Sequence, residues 1–176
     1  SGDIVMKAKK GLEFKARTNT YCAEKWTESG FLGFSSKSYE RWETQKATCN
    51  VEGKNVTLLT DGDLVSEGTD FVATNGNLMA DIKGKAFLYD VVTTSKTYSS
   101  KSSWWGINSS ESFKQTQSTK GTLMKSTGIT FLKAKDIKGI STDIIGHDVI
   151  LDADNIDLRR RKLQNKSRSK SRGFGA

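Results

Sequence analysis

Short apolar clusters recur along this chain every seven to nine residues, separated by Gly, Asp, Asn and Lys. Asn55-Val56-Thr57-Leu58-Leu59, Asp61-Gly62-Asp63-Leu64-Val65, Asp70-Phe71-Val72-Ala73, Asn77-Leu78-Met79-Ala80 and Lys85-Ala86-Phe87-Leu88 are the clearest. That spacing predicts strands of four or five residues joined by tight turns. No segment holds an i, i+3, i+4, i+7 apolar stripe over three turns, and β-branched residues dominate, so helices are not expected. At roughly 3.3 Å per residue such strands are about 15 Å long. Three of them with their turns use about 20 residues, which is one coil of a parallel β-helix. The Asn55 and Asn77 clusters lie 22 residues apart, as do those at Ile129 and Leu151. Stacked coils satisfy one another's backbone groups and bury an apolar column that no single coil buries alone.

A longer period of about 73 residues is superimposed on this one. It matches Met6 with Met79, Gly11 with Gly84, Phe14 with Phe87, Thr57-Leu58-Leu59 with Thr130-Phe131-Leu132, Asp63 with Asp136, and Asp70 with Asp143. Each repeat has a second, unlike half: residues 17–50 and 90–124 are rich in Ser, Thr, Lys, Glu and aromatics. Unstructured loops of that length are uncommon in a compact domain. They are expected to be β-hairpin excursions with turns near Ser35-Ser36 and Asn108-Ser109. The expected architecture is therefore all-β: a right-handed parallel β-helix over residues 1–158 with two extrahelical hairpins. Residues 159–176 are expected to be the first arm of a third hairpin, poorly ordered without its return strand.

Composition sharpens this picture. There is no Pro in the chain, as suits one committed to β-ladders. The net charge of +8 is the tail's alone: eight basic residues and no acid lie between Arg159 and Ala176, leaving 20 basic against 20 acidic elsewhere. The body thus carries no electrostatic footprint for nucleic acid, and no nucleic-acid partner is expected. No stretch is long and apolar enough for a membrane-spanning helix, and no signal peptide opens the chain, which reads as an internal piece of a longer protein.

Candidate chemistry is sparse. Cys22 and Cys49 flank the first proposed turn symmetrically, so antiparallel pairing would bring them opposite each other, either as a disulfide or as two free thiols. Two cysteines with no His at ligand spacing make no zinc site, and no metal or other cofactor is expected. The single His147 reads as a surface turn residue. Asp61, Asp63, Asp70, Asp136, Asp143 and Asp148 read as turn formers rather than a catalytic groove. The aromatics of the excursions are the best binding candidates: Trp26, Phe31, Phe34 and Trp42 in the first, Trp104 and Trp105 in the second, with Tyr98 and Phe113 nearby. They either pair across strands or present flat apolar faces to a partner.

Coil residues such as Asp3-Ile4-Val5-Met6-Lys7-Ala8 and Asp148-Val149-Ile150-Leu151-Asp152-Ala153 alternate with excursions such as Lys101-Ser102-Ser103-Trp104-Trp105-Gly106 and Lys166-Ser167-Arg168-Ser169-Lys170-Ser171. This pattern resembles the haemagglutinin repeats of filamentous haemagglutinin-type and contact-dependent growth inhibition exoproteins of two-partner secretion systems. The resemblance implies a rod, secreted to the surface of a Gram-negative bacterium through a dedicated outer-membrane transporter. It would adhere to a receptor or glycan of a host or target cell, or reach that cell to deliver a toxin carried elsewhere in the parent protein. A polysaccharide-active β-helix enzyme and a phage-type receptor-binding solenoid are the alternatives. End-to-end self-association through unpaired coil edges is also expected of such a piece.

Overall fold

The structure, a computed structural model, describes the backbone of residues 2–28, 36–103 and 108–172, and the side chains of residues 2–17, 47–99 and 110–170. Every regular element among the described residues is a β-strand. In chain order, β1 (Ile4–Ala8) and β2 (Gly11–Phe14) are followed by two long strands, β3 (Arg17–Glu28) and β4 (Ser36–Ala47). Six short strands come next: β5 (Asn50–Gly53), β6 (Val56–Thr60), β7 (Asp63–Glu67), β8 (Asp70–Ala73), β9 (Leu78–Ile82) and β10 (Ala86–Tyr89). A second long pair, β11 (Val91–Ser103) and β12 (Asn108–Lys120), precedes β13 (Leu123–Ser126), β14 (Ile129–Lys133), β15 (Asp136–Ile140), β16 (Asp143–Ile145), β17 (Asp148–Asp152) and β18 (Asn155–Arg159). The last strand is β19 (Lys166–Arg172).

The short strands make three parallel sheets, ordered β1-β6-β9-β14-β17, β2-β7-β10-β15-β18 and β5-β8-β13-β16. The chain visits the first, second and third sheets in rotation, so each circuit adds one strand to each. The long strands make a fourth sheet, ordered β3-β4-β11-β12-β19. Two compact units result: residues 1–17, 46–92 and 119–162 hold the parallel sheets, and residues 18–45, 93–118 and 163–176 hold the fourth.

Strict alternation decides what the parallel unit buries. In β6 and β9 every second residue is buried: Val56, Leu58 and Thr60, then Leu78, Ala80 and Ile82. Leu64 and Leu88 come from the second sheet and Phe71 and Met124 from the third, all with no exposure. Phe71 meets Phe14 edge-on, ring centres 5.0 Å apart. Each large apolar side chain so buried contributes about 1.5–3 kcal/mol of transfer free energy. Val149 and Ile156 stand in register with buried Thr130 and Ile137 yet are 43% and 47% exposed. The cover thins at the last circuit.

The corners carry polar ladders. At the entry to the first sheet, the Asn55 amide donates to Asp3 at 2.9 Å, Asn77 N–H donates to Asn55 Oδ1 at 2.9 Å, and Ile129 N–H donates to Asn77 Oδ1 at 2.8 Å. At the entry to the second, Lys85 N–H donates to Asp63 Oδ1 at 2.8 Å and the Asn155 amide donates to Asp136 at 3.0 Å. Side-chain oxygens there satisfy turn donors that the sheets leave free.

The long repeat is resolved into two registers. Asp63 reaches Asp136 and Asp70 reaches Asp143 at the expected offset of 73. In the first sheet, however, Met6 stacks through Leu58 on Ala80, not Met79, and Thr57 stacks through Met79 on Phe131, an offset of 74. A slip of one residue exchanges the two faces of a strand, and Met79 is accordingly 47% exposed while Ala80 is buried. The second sheet carries both registers: Phe14 stacks through Ser66 on Leu88, not Phe87, again an offset of 74, whereas Leu64 stacks through Ala86 on Ile137, an offset of 73.

The long strands also correct expectation. Ser36 and Asn108, placed at hairpin turns by the sequence pattern, are the first residues of the return strands β4 and β12. The tail, expected to be poorly ordered, forms β19, which runs antiparallel to β12 from Gln115↔Lys166 to Ser109↔Arg172.

Candidate functional site

Cys22, one half of the expected pairing, has its side chain outside the described residues, and among the described side chains Cys49 is a free thiol. Its Sγ donates to the Lys15 carbonyl oxygen at 3.8 Å.

Cys22 and Trp26 lie on β3 and Trp42 on β4, with side chains outside the described residues. Phe31, Phe34, Trp104 and Trp105 lie wholly outside them. The two excursion aromatics whose side chains are described, Tyr98 and Phe113, sit on neighbouring strands β11 and β12. The hydroxyls of the adjacent Ser99 and Ser112 are hydrogen-bonded, which fixes that register. Across the next pair Phe113 stands opposite Arg168, and Glu111 opposite Lys170. Tyr98, Phe113, Glu111, Arg168 and Lys170 together line a cavity of about 310 Å³ on the fourth sheet. The sequence signal for this cluster was present in the alternation of Lys/Arg with Ser from Lys166 onward. It was missed because pairing of the tail with β12 is a long-range fact.

The parallel unit holds a second constellation that sequence reasoning missed. Asp90, immediately before β11, has a completely inaccessible side chain. Arg161 grips it with two hydrogen bonds, Nε–Oδ2 at 2.7 Å and Nη2–Oδ1 at 2.8 Å, and the Thr119 hydroxyl donates to Oδ2 at 2.5 Å. Burial by itself would push the Asp90 carboxyl up, but the hydrogen bonds from Arg161 and Thr119 and the guanidinium charge outweigh it and hold the group below its ordinary value of 3.8. Arg161 in turn is raised, chiefly by the same hydrogen bonds. An ion pair with both oxygens satisfied is the geometry in which burial of charge is tolerated.

The other acids are engaged at corners rather than converging. Asp61 pairs with Lys83 at 3.1 Å, Asp70 with Lys120 at 2.9 Å, and Asp136 with Lys85 at 3.7 Å. The Asn155 hydrogen bond outweighs the opposing effect of burial and lowers Asp136, with the charges of Lys85, Lys135 and Lys138 adding to it. His147 is exposed, with Nδ1 3.3 Å from Asp148. No group of three or more His, Cys, Asp and Glu able to hold a metal ion occurs among the described residues.

Comparison with family models, curated proteins and solved structures gives no match for this chain.

Proposed function

We propose that the chain is a structural and binding segment of a large secreted exoprotein of the filamentous haemagglutinin type, built as a right-handed parallel β-helix with hairpin excursions. The observation that carries this reading is where the long strands leave the circuit. Each departure follows a second-sheet strand: β3 after β2, β11 after β10, and β19 after β18. The first two excursions return into third-sheet strands, β5 and β13. A repeating circuit with insertions confined to one station is what an elongated repeat protein uses to present binding surface without disturbing its core. The right hand is favoured because parallel crossover connections within a sheet are right-handed in about 98% of cases. Nearest-neighbour contacts suit a chain that emerges from a transporter and folds circuit upon circuit.

The test is binding of the fluorescently labelled chain to intact cells, beside a variant in which residues 93–118 are replaced by a short Gly-Ser turn. Saturable binding that the replacement abolishes supports a contact role for the excursions. Absence of saturable binding to bacterial and epithelial cells alike overturns the adhesion reading.

A further inference from the structure

The geometry points to the fourth sheet as a binding surface for a single-stranded nucleic acid, with Tyr98 and Phe113 as the stacking platform and β19 as the phosphate track. Strand β19 alternates cation with serine: Lys166, Arg168 and Lys170 against Ser167 and Ser169. Period 2 sorts these three of the strand's cations onto one face. Register makes that the face of Phe113, which stands opposite Arg168, and the shared cavity adds Tyr98, itself 38% exposed. Alternate residues of a strand are about 7 Å apart, so the cations form a single file beside a pair of aromatic rings.

This combination of linear charge and flat rings is how proteins bind single strands without reading a duplex. The rings offer π-faces that any base can cover, and the Arg168 guanidinium offers another planar surface. A cavity of about 310 Å³ is at the lower end of small-ligand sites, a size for one or two flat rings rather than a folded ligand. An anionic membrane fits less well because a planar surface calls for cations spread over the face, whereas Lys166, Arg168 and Lys170 lie along one strand and, of the described cations on that face of β11 and β12, only Lys96, on β11, lies apart from them. A sulfated or uronate polysaccharide is disfavoured by Glu111, which lines the same cavity opposite Lys170. Its carboxylate repels sulfate and phosphate alike, so the preference rests on the hydrogen bond it accepts from the exocyclic amino group of cytosine, with the phosphates kept to the β19 side. The tail's basicity, read in sequence as an unpaired arm, thus becomes one side of a composite surface when β19 joins β12.

Fluorescence anisotropy of a labelled oligodeoxycytidylate titrated with the full chain tests this at several salt concentrations. Binding should weaken with salt. The double variant Arg168→Ser/Lys170→Ser should lower the slope of log K against log salt by about 1.4, or 0.7 for each phosphate no longer neutralised. Tyr98→Ala and Phe113→Leu should each weaken binding about tenfold with the slope unchanged, and Tyr98→Phe, which keeps the ring, should restore it. Lys114→Ser, on the opposite face, is the control, and circular dichroism checks that every variant folds. The proposal is overturned if the oligonucleotide does not bind, if heparin or anionic vesicles bind in its place, if Tyr98→Ala leaves affinity intact, or if Lys114→Ser is as damaging as Arg168→Ser/Lys170→Ser.

Discussion

Asp90 and Arg161 show how a single buried charge is made tolerable, and the two halves of the pair are not equivalent. Asp90 is inaccessible whereas Arg161 remains 39% exposed. Arg161→Ala therefore strands a carboxylate in a dry site with only Thr119 to serve it, while Asp90→Ala returns a guanidinium to water. The first should cost about 3 kcal/mol, the low end for a broken buried pair because the arginine is part-solvated, and the second about 1–2. Urea unfolding of both variants measures the asymmetry, and equal losses would show that the ion pair contributes only packing. The pH dependence has a definite sign. A carboxyl depressed on folding contributes stability that is present above its unfolded value, near 3.9, and is lost as pH falls through the folded value. In Arg161→Ala the same carboxyl is raised by burial and becomes neutral sooner. The gap between wild type and variant should thus be widest near neutrality and narrow as pH drops below about 5.

At the scale of elements, register is the quantity most at issue. The alternation of β6, β9 and β14 was legible directly from apolar spacing, and so were the corner residues, because Asn and Asp announce turns by chemistry. The exact stacking offset was not legible. Identity of residue type suggested Met6 over Met79 and Thr57 over Thr130, but the buried face chose Met6 over Ala80 and Thr57 over Phe131. Packing volume overrode similarity, since the offset of 73 would turn Met79 inward and Leu78 out. Leu78→Ala should accordingly cost about 2–5 kcal/mol, and Met79→Ala less than about 0.5 kcal/mol. A larger loss at Met79 in thermal or urea unfolding would reverse the register of the first sheet. The candidate site was legible only in part. The aromatics of the second excursion could be named, but not their cationic neighbours, since β19 and β12 meet across some fifty residues of chain.

At the scale of the whole molecule, the circuits and the excursions are separable in principle. Where the chain passes from the second sheet to the third without an excursion, two residues suffice: Gly68-Thr69 between β7 and β8, and Ser141-Thr142 between β15 and β16. The second of each pair is a threonine, and the same station before β13 is Thr122. Thr69 and Thr122 are both buried, and Thr122 hydrogen-bonds Ser66 at 2.8 Å and the Tyr89 carbonyl at 3.0 Å. The β10-to-β13 connection therefore already contains the residue a short corner needs. Replacing residues 90–121 by a single glycine, so that Tyr89-Gly-Thr122 copies Glu67-Gly68-Thr69, should leave the parallel unit able to close its circuits. The loss of Asp90 frees Arg161, which is part-solvated and can turn to water, so the penalty there is small. The shortened chain should unfold in one cooperative step, with its midpoint lowered by no more than about 10 °C, equivalent to roughly 2 kcal/mol for a domain of this size. Differential scanning calorimetry with far-ultraviolet circular dichroism measures this directly. Loss of cooperativity, or of the β-sheet spectrum, would mean that the long strands hold the circuits together, and that the excursions are part of the scaffold instead of cargo upon it.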